Sequence, residues 1–286
     1  MRENANNLYY PHMNNLRIIL IPLLALSFIP AAHSQRPAYG TGANPAGSIK
    51  ILREFAPVKE FGVRIANEVE FDPAYFTFRT VSARALIGHP RTTALEVKTR
   101  YPGAVAVMNA SFFSLTDGSI IGEFVENGKR PPGLIYGGKD IDRLLVSRKD
   151  GAADILSGKT RLSDEEMENT LFAVSGKSRW PGQADATSRS AVCVKYSGRF
   201  LLAAVYPVST VKEMTEYMVS EGCVPEKIIH FDGGGSTQMA YAAKGGEWML
   251  GWERKGENLP ECHLKKDNRD ARCYRPVASF VIVVPS

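Results

Sequence analysis

The sequence predicts an α+β (mixed α/β) fold, a single domain with a central, largely mixed β-sheet flanked by helices. Three observations carry that expectation. Apolar and alternating runs of strand length recur along the chain, while segments with helical periodicity are few. The two clearest helical segments each lead straight into an apolar strand. Both of those strands end in loops of small and polar residues, and strand ends are where open α/β sheets place ligands. Of 286 residues, 44% are hydrophobic and 23% charged, a globular balance with enough chain for a large core.

Residues 1–34 stand apart from this pattern. In "NNLRIILIPLLALSFIPAAHSQ" the basic Arg17 precedes the apolar run Ile18–Ala32, and Ala32 and Ser34 fit the small positions before a cleavage point. This reads as a signal peptide that leaves Gln35 as the new N-terminus. Met13 is a second candidate start, with a shorter leading region. The run is short for a span of roughly 20 residues, and Pro22 and Pro30 interrupt it. Cleavage is therefore expected rather than a permanent anchor, with no stable membrane span afterwards. No Cys directly follows the run, which argues against a lipid anchor. The expected location is the periplasm or the cell exterior. Residues 35–48, "QRPAYGTGANPAGS", read as a flexible leader, and 49–286 as one domain without long linkers or repeats.

Within that domain, "FGVRIANEVEF" and "YFTFRTVSA" alternate as strands. "TTALEVKTRYPG" reads as a helix with a Thr93-x-x-Glu96 capping box and a Pro-Gly stop. "GAVAVMNASFF" is a buried-type strand ending in Asn109. "SDEEMENTLFAVSG" is a candidate helix, and "RSAVCVKY" and "FLLAAVYPV" form a hairpin across "SGR". "STVKEMTEYMVSEGCVP" is a helix with a Thr210-x-x-Glu213 box, apolar Val211, Met214, Met218 and Val219, and Gly222 just past its end. "KIIHFD" and "VASFVIVV" complete the strands.

Export would put the four cysteines in an oxidising compartment, so up to two disulfides are expected. The favoured pairs are Cys193–Cys223 and Cys262–Cys273. The net charge of +5 is mild and scattered, with no nucleic-acid signature, though it favours anionic substrates through steering. Metal-ligand spacing is absent and no cofactor is firmly implied, although Asp232 leaves room for a divalent cation.

Three short pieces carry chemistry. In "FDGGGST", Asp232 sits just past an apolar strand. Gly233, Gly234 and Gly235 can adopt positive φ and expose successive amides as an anion nest, and Ser236 and Thr237 add hydroxyls. Alone, such a turn is more often structural, and the P-loop lysine is missing. In "VMNASFF", Asn109 offers one acceptor and two donors, Ala110 and Ser111 keep the turn small, and Phe112 and Phe113 could stack on a sugar, with at least one of them expected in the core. In "TSRSAVCV", Arg189 is either a solvated strand end or a planar fork for phosphate. His230 shares a strand face with Asp232 and reads as a core or supporting histidine.

The ordered set "NASFF … SRSAVCV … HFDGGGSTQMAY … RPVASFVIVV" resembles the phosphodiester glycosidase family over roughly residues 100–285. That family includes the animal N-acetylglucosamine-1-phosphodiester α-N-acetylglucosaminidase and bacterial exopolysaccharide-related proteins. Members often read Asn-Gly-Gly-Phe-Phe and Pro-Arg-Thr where this chain has Asn109-Ala110-Ser111-Phe112-Phe113 and Ser188-Arg189-Ser190, changes that bear on the substrate pocket. The resemblance implies a hydrolase that cleaves a sugar 1-phosphodiester at the C1–O bond, releasing an N-acetylglucosamine-like sugar from envelope or exopolysaccharide glycosyl phosphates. It implies Asp232 as nucleophile, base or cation stabiliser, with Arg189 and the Gly233–Gly235 amides on the phosphate. Asn109, Ser236 and Thr237 would orient oxygens, and Ser111 and Phe112 join them as candidate substrate-binding residues. Asp117 and Glu123 are candidates for a second carboxylate, with plain loop acids the favoured reading. The rivals are a non-catalytic carbohydrate- or polymer-binding envelope protein and a phosphodiesterase that cleaves the P–O bond.

Overall fold

The computed structural model describes residues 48–58, 62–137, 140–178, 186–243, 246–251 and 274–286. The expected signal peptide (1–34), the flexible leader up to residue 47 and the Cys262–Cys273 pair lie outside these residues. Among the described residues, fourteen strands in chain order build three sheets. β1 (Ile49–Val58), β2 (Gly62–Phe71), β9 (Thr187–Lys195), β10 (Phe200–Ser209) and β11 (Cys223–His230) form the first, in the order β1-β2-β10-β9-β11. β3 (Phe76–Ser82), β4 (Ala106–Asn109), β12 (Gln238–Ala243), β13 (Gly246–Gly251) and β14 (Ser279–Pro285) form the second, in the order β13-β12-β4-β14-β3. β5 (Phe124–Val125), β6 (Arg143–Arg148), β7 (Ala153–Ser157) and β8 (Thr170–Gly176) form the third, in the order β5-β8-β6-β7.

Every strand pair in these sheets is antiparallel. The expected central mixed sheet is thus corrected to three antiparallel sheets with strands dominating. The physical reason lies in the connections. Hairpins such as β9–β10 and β6–β7 join neighbours through tight turns, whereas parallel neighbours need long crossovers. The two helix-then-strand units exist, but their strands β4 and β11 belong to different sheets.

The sheets share one core. Val69, Phe71, Phe200 and Ile229 of the first sheet, Phe78, Met108, Met239 and Phe280 of the second, and Phe124, Leu145 and Val174 of the third lie in one cluster. The Phe71 and Phe200 rings stack at 5.5 Å. The outer face of the first sheet is covered by α4 (Val211–Ser220), which buries Met214 and Met218 against Ala191, Leu201, Ala203 and Ile228. Its predicted capping box at Thr210 and Glu213 is present in both directions, and Gly222 follows its end at φ +88°. Val219, expected on the apolar face, is 40% exposed. The predicted Cys193–Cys223 disulfide joins β9 to β11 inside this layer, at a Cα separation of 5.8 Å.

α2 (Ala94–Arg100) precedes β4, with Thr93 accepting from the Glu96 amide. The reciprocal half of its box is replaced by a bond from the Thr92 hydroxyl to the Glu96 carboxylate. The helix expected over 163–176 is only α3 (Asp164–Asn169), after which Thr170–Gly176 is strand β8. The apolar run Leu171–Val174 is worth more to the third sheet, where Ala173 and Val174 are fully buried. α1 (Ala83–Ile87) is a single short turn after β3. No helix among the described residues is long and apolar enough to cross a membrane.

Candidate active site

The three sequence pieces meet where β4 and β11 end. The Phe231 amide donates to the Ser190 carbonyl at 2.9 Å, and the Asp232 amide to the Ala110 carbonyl at 3.1 Å. The Asn109 amide group donates to the Asp232 carbonyl at 2.7 Å. The Asn109 side-chain oxygen accepts from the Ser190 hydroxyl at 2.6 Å and from the Gln238 amide at 3.0 Å. Asn109 is 1% exposed. Its polar atoms are therefore engaged in pinning four segments together, and it shapes the site by holding Asp232 in place. This differs from the expectation that it would orient substrate oxygens.

Each glycine of the turn is needed for a different reason. A Cβ on Gly233 would come within 2.9 Å of the Ser188 carbonyl and 3.2 Å of the Arg189 guanidinium. Gly234 has φ +60°, the left-handed region where side chains are strained. A Cβ on Gly235 would come within 3.0 Å of the Arg275 guanidinium. Only Gly234 has positive φ, so the expected nest of successive positive-φ amides is instead a short 3-10 turn, Gly234–Ser236. Its missing side chains let two arginines approach from either end.

Asp232 is partly exposed, and its pKa is raised to about 6. Burial pushes it up, while the Ser236 hydroxyl, the Arg275 charge, the Gly233 amide and the Lys177 charge pull it down. Arg189 is buried and donates its Nε to the Ser209 carbonyl at 3.0 Å, which fixes its fork beside Gly233. Arg275 is fixed through its own carbonyl, which accepts from the Gln238 side chain at 2.9 Å. The other end of that side chain accepts from the Ala94 amide at the start of α2.

The remaining candidates divide. Ser236 is buried and bonds the Asp232 carboxylate. The hydroxyls of Ser111 and Thr237 are buried without a hydrogen-bond partner among the described residues. Phe113 belongs to the core while Phe112 is partly exposed, with the Lys177 ammonium 4.9 Å from its ring centre. His230 is buried beneath α4 against the Thr215 hydroxyl at 3.0 Å, and burial lowers its pKa to about 4, so it stays neutral. Glu123 is fully buried in a two-pronged pair with Arg130 at 2.8 and 2.9 Å and also accepts from the Leu162 amide. Asp117 closes its own exposed turn onto Ser119. Both carboxylates thus have structural work. Among the described residues, no three His, Cys, Asp or Glu side chains gather into a metal-binding cluster.

Sequence reasoning missed Arg275, Gln238 and Lys177. Arg275 opens an apolar strand run as Arg189 does, and the same argument applied to it would have found it. Lys177 was hidden because the strand it follows read as helix.

The sequence profile described as phosphodiester glycosidase matches residues 102–284, well over half of the chain. Among curated proteins, none matches by sequence. By structure the chain is similar to the zebrafish N-acetylglucosamine-1-phosphodiester α-N-acetylglucosaminidase catalytic domain, auto-inhibited by its pro-peptide. The TM-score is 0.56 at 16% identity, over 86% of each chain. It is also similar to a hypothetical protein from Synechocystis, with TM-score 0.53 and 12% identity, over 84% of this chain and 62% of that one. At such identities these two likenesses speak to the fold.

Proposed function

The chain belongs to the phosphodiester glycosidase family, and from that premise we propose that it hydrolyses a sugar 1-phosphodiester at the sugar C1–O bond. The observation that carries this reading is one partly buried carboxylate, Asp232, at the head of a glycine turn that two arginines approach. Arg189 and Arg275 approach the turn at Gly233 and Gly235, and a guanidinium is the side chain best suited to grip phosphate oxygens. Water attacks C1, the C1–O bond breaks, and its electron pair leaves with the phosphate. The attacking water gives its proton to Asp232.

A pKa of about 6 suits a base that must be ionised near neutrality yet hold a proton when it arrives. The departing phosphate is a weak base, so a second carboxyl to protonate it is unnecessary. That fits the structural roles of Glu123 and Asp117. The two arginines stabilise the charge that grows on the phosphate, each such donor being worth on the order of 3–4 kcal/mol. The apolar leader supports export, and an exported enzyme of this kind would act on glycosyl phosphates of the envelope or exopolysaccharide, with an N-acetylglucosamine-like sugar as the first candidate.

The test is release of free sugar from UDP-N-acetylglucosamine and a panel of glycosyl phosphodiesters, with wild type and Asp232→Asn side by side. Release by the wild type and loss in the variant are expected. Tight binding of intact substrates without release would instead favour a carbohydrate-binding protein.

A further inference from the structure

β11 leaves its sheet between two neighbours. On one side His230 faces Ala191 of β9, and Arg189 reaches Gly233 from there. On the other side His230 exchanges two backbone hydrogen bonds with Lys177, at 2.9 and 2.8 Å. Gly176 permits this approach, because a Cβ there would lie 2.6 Å from the His230 carbonyl. Lys177 therefore sits on the flank opposite Arg189. Its side chain is only 13% exposed, with the ammonium 4.9 Å from the centre of the Phe112 ring and 3.6 Å from the Asp140 carboxylate. Asp140 itself is 47% exposed.

We propose that Lys177 and Phe112 form a subsite for an acidic group on the sugar, so that the preferred substrate is the phosphodiester of a hexuronate. The proposal rests on the reading above, in which Arg189 and Arg275 take the phosphate and leave the Lys177 flank to the sugar. A neutral pyranose would find the ring face beneath the ammonium already covered. A carboxylate suits that ammonium better, because a cation withdrawn from water attracts an anion more strongly than one in bulk solvent. Asp140 is a carboxylate already held at this cation. It is exposed, so a sugar carboxylate can take its place while it turns to solvent. Two other acids among the described residues lie close by in the fold, Asp232, which serves the reaction, and Asp142, which holds the Ser178 amide and hydroxyl.

The experiment is calorimetric titration of the full chain with glucuronic acid 1-phosphate and glucose 1-phosphate, which differ in the carboxylate. Wild type should bind the first at least about tenfold more tightly, equivalent to about 1.4 kcal/mol. Lys177→Met should reduce that ratio to about one, and Lys177→Arg should keep most of it. Asp140→Asn should raise affinity for glucuronic acid 1-phosphate by removing the competitor. Equal affinity in the wild type, no binding of either ligand, or a ratio that survives Lys177→Met overturns the proposal. A lysine with only a structural role would weaken both ligands together. Hydrolysis of UDP-glucuronic acid and UDP-glucose is scored separately. A binding preference without sugar release counts against the hydrolase reading alone, and sugar release without a preference counts against the subsite alone.

Discussion

Replacing Asp232 by Asn should stop turnover and yet make the protein more stable. The carboxyl is held near pKa 6 by burial, against an ordinary 3.8. A difference of about 2 units corresponds to about 3 kcal/mol. The sign follows from where the proton binds more tightly. Because the folded-state pKa is the higher one, the folded state is penalised when the carboxyl is ionised. That penalty is complete above about pH 6, shrinks as the pH falls toward about 4, and vanishes below the unfolded pKa. Asparagine keeps the shape and carries no charge, but it weakens the bonds from Ser236 and Gly233, which trims the gain. Urea unfolding at pH 8 should show the variant more stable by about 1–3 kcal/mol, with the difference near zero at pH 4. A variant less stable than wild type at pH 8, or a difference that does not change with pH, would refute the claim that Asp232 is ionised at a cost. Loss of function with gain of stability is the expected mark of a group placed for chemistry rather than for folding.

Other outcomes follow from the same geometry. The acid limb of kcat/KM should have its midpoint near pH 6, and Arg275→Gln should move it upward, since that charge lowers the Asp232 pKa, while cutting the rate by about 100-fold or more. Gly233→Ala should cost about 1–3 kcal/mol in unfolding experiments and displace Arg189, because the added methyl meets the Ser188 carbonyl at 2.9 Å. Asn109→Ala should cost about 2–4 kcal/mol by stranding the Ser190 hydroxyl and the Gln238 amide, and differential scanning calorimetry would read this as a lower Tm.

Much of the candidate site was legible in the sequence because its parts are short, local and chemically odd. An Asp followed by three Gly after an apolar strand stands out in the sequence and gains weight from its ordered companions, and Asn109 and Arg189 open or close strands whose apolar pattern is strong. The helices with capping boxes were also legible, as the complete box of α4 illustrates. What failed was partnership between distant strands. Nothing local states that β4 pairs with β12 and β14, or that β11 lies beside β9 in another sheet. The run after Ser163 begins with a good helix cap and continues apolar, so only its burial in the third sheet decides that Thr170 onward is strand. Arg275 and Gln238 escaped for the same reason. Their role depends on segments far apart in sequence, with Gln238 bridging Ala94 and Arg275. The role of Asn109 was similarly hidden, since a strand-end asparagine looks the same in sequence whether it meets a ligand or three protein neighbours.

The most direct test of the account is hydrolysis of a glycosyl phosphodiester in oxygen-18 water, with products read by mass spectrometry before the sugar exchanges its anomeric oxygen. Attack at C1 with Asp232 as base predicts the label in the released sugar and an unlabelled phosphomonoester. Label in the phosphate would mean that the P–O bond is cut, and would contradict the roles given to Asp232 and the two arginines.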